Sequence, residues 1–291
     1  MTSRTATLIG LTAILMWSLL AALTVATGKI PAFQLAAMTF AIGALVGSLT
    51  WIGRPDAIRS LRQAPLAWIV GVGGLFGYHA LYFVALRFAP PAEAGLLNYL
   101  WPLLIVLFSS LLPGERLAPH YVIGALLGLA GTVLLFAGNS IGGFAPGQLP
   151  GLIAAFVAAF VWAAYSVMSR KLKSVPTDAV AGFCLATALL AALVHGMVED
   201  TVWPDTTAQW LAIAALGVGP VGAAFYAWDV GMKRGDIRVL GAASYATPLL
   251  STSFLILAGF AKPSANIAIA AVLIAGGGLV AARDMFLKRI P

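Results

Sequence analysis

The stretch Gly95-Leu96-Leu97-Asn98-Tyr99-Leu100-Trp101-Pro102-Leu103-Leu104 returns later in the chain as Gly241-Ala242-Ala243-Ser244-Tyr245-Ala246-Thr247-Pro248-Leu249-Leu250. Gly, Tyr, Pro, Leu and Leu recur at one constant offset of 146 residues. At an offset of 145, Trp17 meets Trp162 and Ala130-Gly131 meets Ala275-Gly276. Chance would account for the last pair alone in a chain so rich in Ala, Leu and Gly, but not for the tyrosine–proline match. The sequence therefore reads as one unit used twice, over residues 1–140 and 148–291, within a single membrane domain. The stretch 138–147, with four glycines and a proline, is the expected linker.

Both copies of the quoted stretch lie in apolar runs of membrane-spanning length. Ten such runs cover residues 5–27, 32–51, 67–86, 92–112, 120–138, 149–169, 178–197, 208–230, 239–259 and 265–282. About 20 residues at 1.5 Å each are needed to cross roughly 30 Å of hydrocarbon. Hydrophobic residues make up 61% of the chain and charged residues 9%, against roughly 25% charged in a soluble domain. The connections are too short for an extramembrane domain. The first run is long for a cleaved leader and is preceded by a single cation, Arg4, so it reads as a span.

The net charge of +7 is topological information. With the N-terminus in the cytoplasm, 14 of the 17 Lys and Arg residues fall on the cytoplasmic side. They are Arg4, Arg54, Arg59, Arg62, Arg116, Arg170, Lys171, Lys173, Lys233, Arg234, Arg238, Arg283, Lys288 and Arg289. Lys29, Arg87 and Lys262 remain outside, with Glu199, Asp200 and Asp205. This asymmetry obeys the positive-inside rule, puts both termini in the cytoplasm and speaks against a nucleic-acid partner. The single cysteine, Cys184, lies in the seventh run and has no internal disulfide partner.

Five spans per copy is an odd number. The second copy must then enter the membrane from the opposite side, so the expected fold is all-α, ten transmembrane helices in two inverted five-helix repeats around a central cavity. Such repeats commonly place a solute site at the midplane between them. Pro102, Pro220 and Pro248 lie inside expected helices, where each removes a backbone hydrogen bond. Pro102 and Pro248, matched between the copies, are candidate hinges bending the fourth and ninth spans. Small-xxx-small pairs (Gly43/Gly47, Gly73/Gly77, Gly124/Gly128) and the run Gly276-Gly277-Gly278 offer close helix contacts. Gly71-Val72-Gly73-Gly74-Leu75-Phe76 is not a dinucleotide fingerprint: Phe76 replaces the third glycine and no strand precedes it.

The ten-span duplicated plan resembles the drug/metabolite transporter superfamily in its EamA-type branch. So does Gly114-Glu115-Arg116-Leu117 leading into Gly124-Ala125-Leu126-Leu127-Gly128-Leu129-Ala130-Gly131. In the second copy Ala261-Lys262 replaces the Glu-Arg pair. The resemblance covers nearly the whole chain. It implies a transporter of the bacterial inner membrane, not an enzyme, and the aromatic-rich inner face is most similar to the branch that exports aromatic amino acids.

That inner face is visible in the residues themselves. Tyr78, His79 and Tyr82 mark the third span; Asn98, Tyr99 and Trp101 the fourth; Trp17 the first; Trp162 the sixth; Tyr245 the ninth. Ser18, Tyr165, Ser166, Tyr226 and Ser244 lie nearby in sequence. All lie deep in their spans, away from the headgroup belt where Trp and Tyr commonly anchor. A phenol or indole at that depth needs a partner or water, which a ring-lined cavity for an aromatic or amphipathic solute supplies. His79 is the most distinctive: an intramembrane histidine is costly and by default a candidate for function. His195 is expected at the outer interface. Asp229 and Lys233, one turn apart, are expected to pair as a solvated gate or as a topology signal.

We therefore expect a secondary transporter exporting amino acids, aromatic and other neutral ones favoured, by alternating access. The lipid bilayer and a small-molecule substrate are its expected partners, and no cofactor or metal is called for. No Gly-Lys-Ser/Thr phosphate loop points to ATP. No carboxylate sits at mid-span for a proton relay, which favours exchange or uniport. Alternative cargoes are a nucleotide sugar, a sugar phosphate or a cationic drug. The first two want several mid-span cations and the last a buried carboxylate, and neither is present. An intramembrane protease would need a Ser-His couple, a mid-span aspartate pair or a His-Glu-x-x-His motif; the last two are absent, and nothing in the sequence places the serines and histidines of the spans as a couple.

Overall fold

The computed structural model describes residues 1–114, 117–137, 146–257 and 264–287. Glu115, Arg116, residues 138–145 of the linker, Ala261-Lys262, Lys288 and Arg289 lie outside the described residues. Fourteen α-helices, and no strand, appear among the described residues. In the first sequence copy they are α1 (Ser3–Ser18), α2 (Leu20–Ala26), α3 (Ala32–Leu49), α4 (Pro65–Phe88), α5 (Pro91–Asn98), α6 (Trp101–Ser109) and α7 (Pro119–Ala137). The second holds α8 (Leu149–Lys171), α9 (Val180–Val198), α10 (Thr207–Val218), α11 (Ala224–Arg234), α12 (Ile237–Ala243), α13 (Ala246–Leu257) and α14 (Ala265–Leu287).

Seven helical stretches among the described residues are long and apolar enough to cross a membrane. They are Ser3–Ala26, Ala32–Leu49, Pro65–Phe88, Leu149–Lys171, Thr177–Val198, Thr207–Arg234 and Ala265–Asp284. Shorter apolar helices, Glu93–Ser109 and Pro119–Leu134, stand where the fourth and fifth spans were expected. The ninth expected span is divided into α12 and α13. Large apolar side chains such as Leu45, Ile69, Leu111 and Val272 face outward, as they do in a protein whose solvent is hydrocarbon.

Capping fixes where several helices begin. Thr206 and Gln209 form a capping box at the start of α10. The Asp236 carboxylate accepts from the backbone N–H groups of Arg238 and Val239 at the start of α12. Helix α3 follows Pro31, which has no side-chain acceptor. Its cap comes instead from Glu199 beyond the end of α9, whose two carboxylate oxygens accept from the N–H groups of Phe33 at 3.0 Å and Gln34 at 3.1 Å. His195 also holds Glu199, at 2.9 Å through Nδ1, and reaches Thr201 through Nε2 at 3.0 Å.

The extensive helix pairings are α7 with α14, α4 with α8, α3 with α9 and α1 with α11. Helices α7 and α14 run in opposite directions: Gly124 meets Gly277 and Ala281, and one turn or two later Gly131 meets Ile274 and Ala270. So do α3 and α9, where Glu199 meets Phe33 at one end and Arg54 pairs with Asp178 at 3.1 Å at the other. The glycines divide into two groups. A Cβ on Gly124 would lie 2.5 Å from the Gly277 carbonyl and 2.8 Å from the Ala281 methyl, so only glycine permits this approach. Gly43, Gly47 and Gly128 likewise sit at contacts, whereas Gly73, Gly276 and Gly278 face open space.

The prolines act differently from interior kinks. Helix α5 stops at Asn98 and α6 starts at Trp101; α12 stops at Ala243 and α13 starts at Ala246. Pro102 and Pro248 thus stand in the first turn after matched breaks, where a missing N–H leaves no helical bond unmade. The chain crosses each break on three-residue bonds, Leu100 N–H to Leu97 and Thr247 N–H to Ser244. Pro220 lies in a π turn, Gly219–Ala223, that joins α10 to α11. There the Ala224 N–H reaches back to the Gly219 carbonyl.

A candidate solute cavity between the halves

One end of the bundle gathers the start of α1, the starts of α7 and α12 and the end of α14. Asp236 N–H donates to Thr7 Oγ1 at 2.8 Å, the Arg238 guanidinium lies 4.3 Å over the Tyr121 ring, and His120 approaches Asp284. We call this the terminal end. Between it and the opposite end lies a cavity of about 130 Å³. Helix α1 supplies Trp17, and Leu20 follows at the start of α2. Helix α4 gives Tyr78, His79 and Tyr82; the α5–α6 break gives Asn98, Tyr99 and Trp101; α8 gives Trp162. Pro220, Phe225 and Thr247 complete the wall.

Eight of the nine residues singled out from sequence are in that wall, because i, i+3 and i+4 positions share a helix face. Tyr245 is not. It is fully buried in a second apolar cluster with Tyr121, Val106 and Ile274, and packs on Gly128 of α7. The matched helix breaks are offset by 145 residues, so Ser244 and not Tyr245 is the counterpart of Tyr99. One residue of register turns a helical side chain by about 100°, which directs Tyr245 away from the cavity. Tyr226 is also diverted, its hydroxyl donating to the Gly43 carbonyl at 3.1 Å. Ser18 and Ser244 bond their own helices through Leu15 and Leu240.

The floor towards the terminal end is a cluster of indoles. Trp17 lies 5.0 Å from Trp228, 5.6 Å from Trp162 and 6.3 Å from Trp101. Trp228, 1% exposed, was not anticipated. It lies three residues, nearly one turn, beyond Phe225 on α11, and that spacing was the available signal. Trp228 Nε1 donates to Ser166 Oγ at 3.1 Å and Trp17 Nε1 to the Pro220 carbonyl at 3.0 Å. The second bond uses a carbonyl within the π turn. Phe225, also unanticipated, stacks on Phe40 at 5.5 Å.

Polar groups in the wall are few. Asn98 Nδ2 donates to the Tyr78 hydroxyl at 3.0 Å, while Asn98 Oδ1 is buried without a partner. His79 Nδ1 meets the Leu75 carbonyl at 2.7 Å, which requires the proton on Nδ1 and leaves Nε2 as an acceptor. The hydrogen-bond partner of His79 on the protein is thus the backbone of its own helix. The Tyr78 ring and the Phe40 ring both meet the imidazole edge-on, at 5.1 Å and 5.0 Å. Tyr82 stacks on Tyr78 at 6.0 Å. Among the described residues, no Lys, Arg, Asp or Glu lines this cavity, and no group of three metal-ligating side chains occurs.

Below the indole floor, Asp229 and Lys233 pair at 2.8 Å. The pair was expected to be solvated, yet its side chains are 3% and 5% exposed. Thr177 Oγ1 donates to Asp229 at 2.7 Å and Lys233 Nζ to the Val175 carbonyl at 2.8 Å, so the burial is compensated by hydrogen bonds.

A chamber lined by rings, with Asn98 Oδ1, Thr247 Oγ1 and His79 Nε2 left without protein partners and no charged side chain among its described lining residues, suits a small organic solute, and the chain's relatives are transporters. An aromatic amino acid exporter, YddG, of Ancylobacter novellus is 58% identical over 97% of this chain and 98% of its own length. The protein of the same name from Salmonella typhimurium is 31% identical over 87% of this chain and 88% of its own. A solved crystal structure at 57% identity superposes with a TM-score of 0.93, covering 97% of this chain and 98% of that one. Residues 4–137 and again 149–283 match one family description, so the chain belongs to the EamA-like transporter family, a membrane-spanning transporter family.

Proposed function

We propose that this protein is an exporter of aromatic and other neutral amino acids in the bacterial inner membrane, working by alternating access with both termini in the cytoplasm. The observation that carries the proposal is the cavity itself: a ring-lined chamber with no charged side chain among its described lining residues, drawn from both matched segments, with Asn98 Oδ1 and His79 Nε2 unclaimed by the protein. Trp17, Tyr78, Tyr82, Tyr99, Trp101 and Trp162 stack against the solute, and His79 and Asn98 accept from its ammonium group. The YddG relatives carry the same activity in their name.

The ten spans form two inverted repeats, 1–140 and 148–291. Support comes from the four extensive helix pairings, which are unchanged when each span is exchanged with the one five places on. The antiparallel contact of α7 with α14, one from each repeat, fits a two-fold axis in the membrane plane. The paired breaks before Pro102 and Pro248 serve as hinges at the seam. A dry apolar cavity of roughly 150 Å³ accepts benzene. The present chamber, about 130 Å³, is no larger than that, and alternating access widens it around the solute. The Trp228 layer and the Asp229–Lys233 pair seal the cytoplasmic side in this state.

Reconstitution tests the proposal. Liposomes containing the purified protein and loaded with radiolabelled L-phenylalanine or L-tryptophan should release either faster than empty liposomes. Trp101→Ala and His79→Ala should each slow that release at least several-fold. Release of neither amino acid, or wild-type rates in both variants, would reject it.

A further inference from the structure

The terminal end holds a second cavity, larger than the first, whose chemistry is different. It has a volume of about 420 Å³ and is lined by Leu112 and Pro113 after α6, Arg170 and Lys173 at the end of α8, and Lys233 and Arg234 at the end of α11. Among the described residues, four of the six that line it are cations. Arg170 Nη1 is engaged with the Met232 carbonyl at 3.2 Å. Lys173 and Arg234 are exposed, and no carboxylate among the described residues pairs with either. Lys233 is the inner wall. It also lines the narrow space behind, with Asp229, Tyr165 and Ser169. Beyond that space lies Trp228, and beyond Trp228 the aromatic chamber. One lysine thus separates a basic vestibule from the file of residues leading to the solute cavity.

We propose that this vestibule is a docking site for the carboxylate of the solute at the cytoplasmic mouth. The inference rests on the transport reading above. Lys173 and Arg234 attract the anionic end of the solute from water, and Lys233 is its inner contact. An arriving carboxylate competes with Asp229 for Lys233, which loosens the contact holding α11 to Val175 and Thr177. The uncharged inner chamber selects the ring; the vestibule selects the acid group. Oppositely charged rims of this kind govern capture and its salt dependence.

Membrane vesicles of defined sidedness test the idea. Inside-out bacterial vesicles present the vestibule to the medium and right-side-out vesicles hide it. In inside-out vesicles the double variant Lys173→Ala/Arg234→Ala should raise the half-saturating L-phenylalanine concentration roughly three- to tenfold, as expected for two exposed charge contacts. Right-side-out vesicles should show no change. Raising ionic strength should weaken uptake by wild type and leave the double variant nearly unaffected. Phenethylamine, the same ring without the carboxylate, should gain nothing from the two cations. An unchanged half-saturation beside active wild type would overturn the docking site and leave the transport function standing. Absence of uptake by wild type would instead overturn the transport reading. An effect that vanishes in liposomes of zwitterionic lipid alone would assign the vestibule to anionic lipid headgroups and reject a solute carboxylate.

Discussion

Asn98 carries two tasks with one amide. Its nitrogen orients the Tyr78 hydroxyl and its oxygen faces the chamber unpaired. Asn98→Ala should leave the phenol without its partner and the solute without an acceptor, at about 1–2 kcal/mol. The expected outcome is a KM for L-phenylalanine raised roughly 5- to 30-fold, read from initial rates of counterflow. Asp229 makes a contrasting case, because its importance lies in what it neutralises. Asp229→Asn leaves Lys233 charged and buried, which costs about 3–5 kcal/mol. The unfolding temperature in detergent should fall clearly. Asp229→Leu with Lys233→Met should recover most of the loss, since removing both charges removes the penalty. A double variant no more stable than Asp229→Asn would contradict this account.

Between elements, contact is set by which glycines face a neighbour. Helices α7 and α14 touch backbone to backbone at Gly124 and Gly277. In lipid no apolar drive holds them together, so packing and weak polar contacts must do so. Gly124→Val should push the pair apart and cost about 1–3 kcal/mol through overpacking. Gly73→Ala, with nothing near its added methyl, should be neutral in the same thermal assay. The spacing of the small residues was legible from sequence, but it could not separate these two glycines. Both sit in small-xxx-small pairs, and only the partner across the gap distinguishes them. The helix breaks were equally hidden. A proline in an apolar run reads the same whether it kinks a helix or follows a break, and what differs is whether the turn before it has already unwound.

For the whole molecule, orientation is the first thing to measure. Lys29→Cys and Asp205→Cys should react with a membrane-impermeant maleimide in intact cells, and Arg62→Cys only after permeabilisation. Background should be low because Cys184 is completely buried. The reverse pattern would invert the topology and move the basic vestibule to the outside. The aromatic chamber and that vestibule are separated by one layer of tryptophan and one ion pair, so small shifts of α11 suffice to connect them.

Sequence alone determined the all-helical membrane class, the two matched segments of the family and eight of the residues around the chamber. Each is carried by composition or by spacing along one helix, where neighbours in space are neighbours in sequence. Tertiary structure decided the rest. Tyr245 left the chamber through one residue of register. Phe225 entered it from α11, and Trp228 joined the indole cluster behind the wall, because the pairing of α11 with α1 aims that face at Trp17. Asp229 and Lys233 passed from expected surface to buried pair because Val175 and Thr177, some fifty residues away, close over them. Periodicity says which side chains share a face. Only the packing of one helix on another says what that face meets.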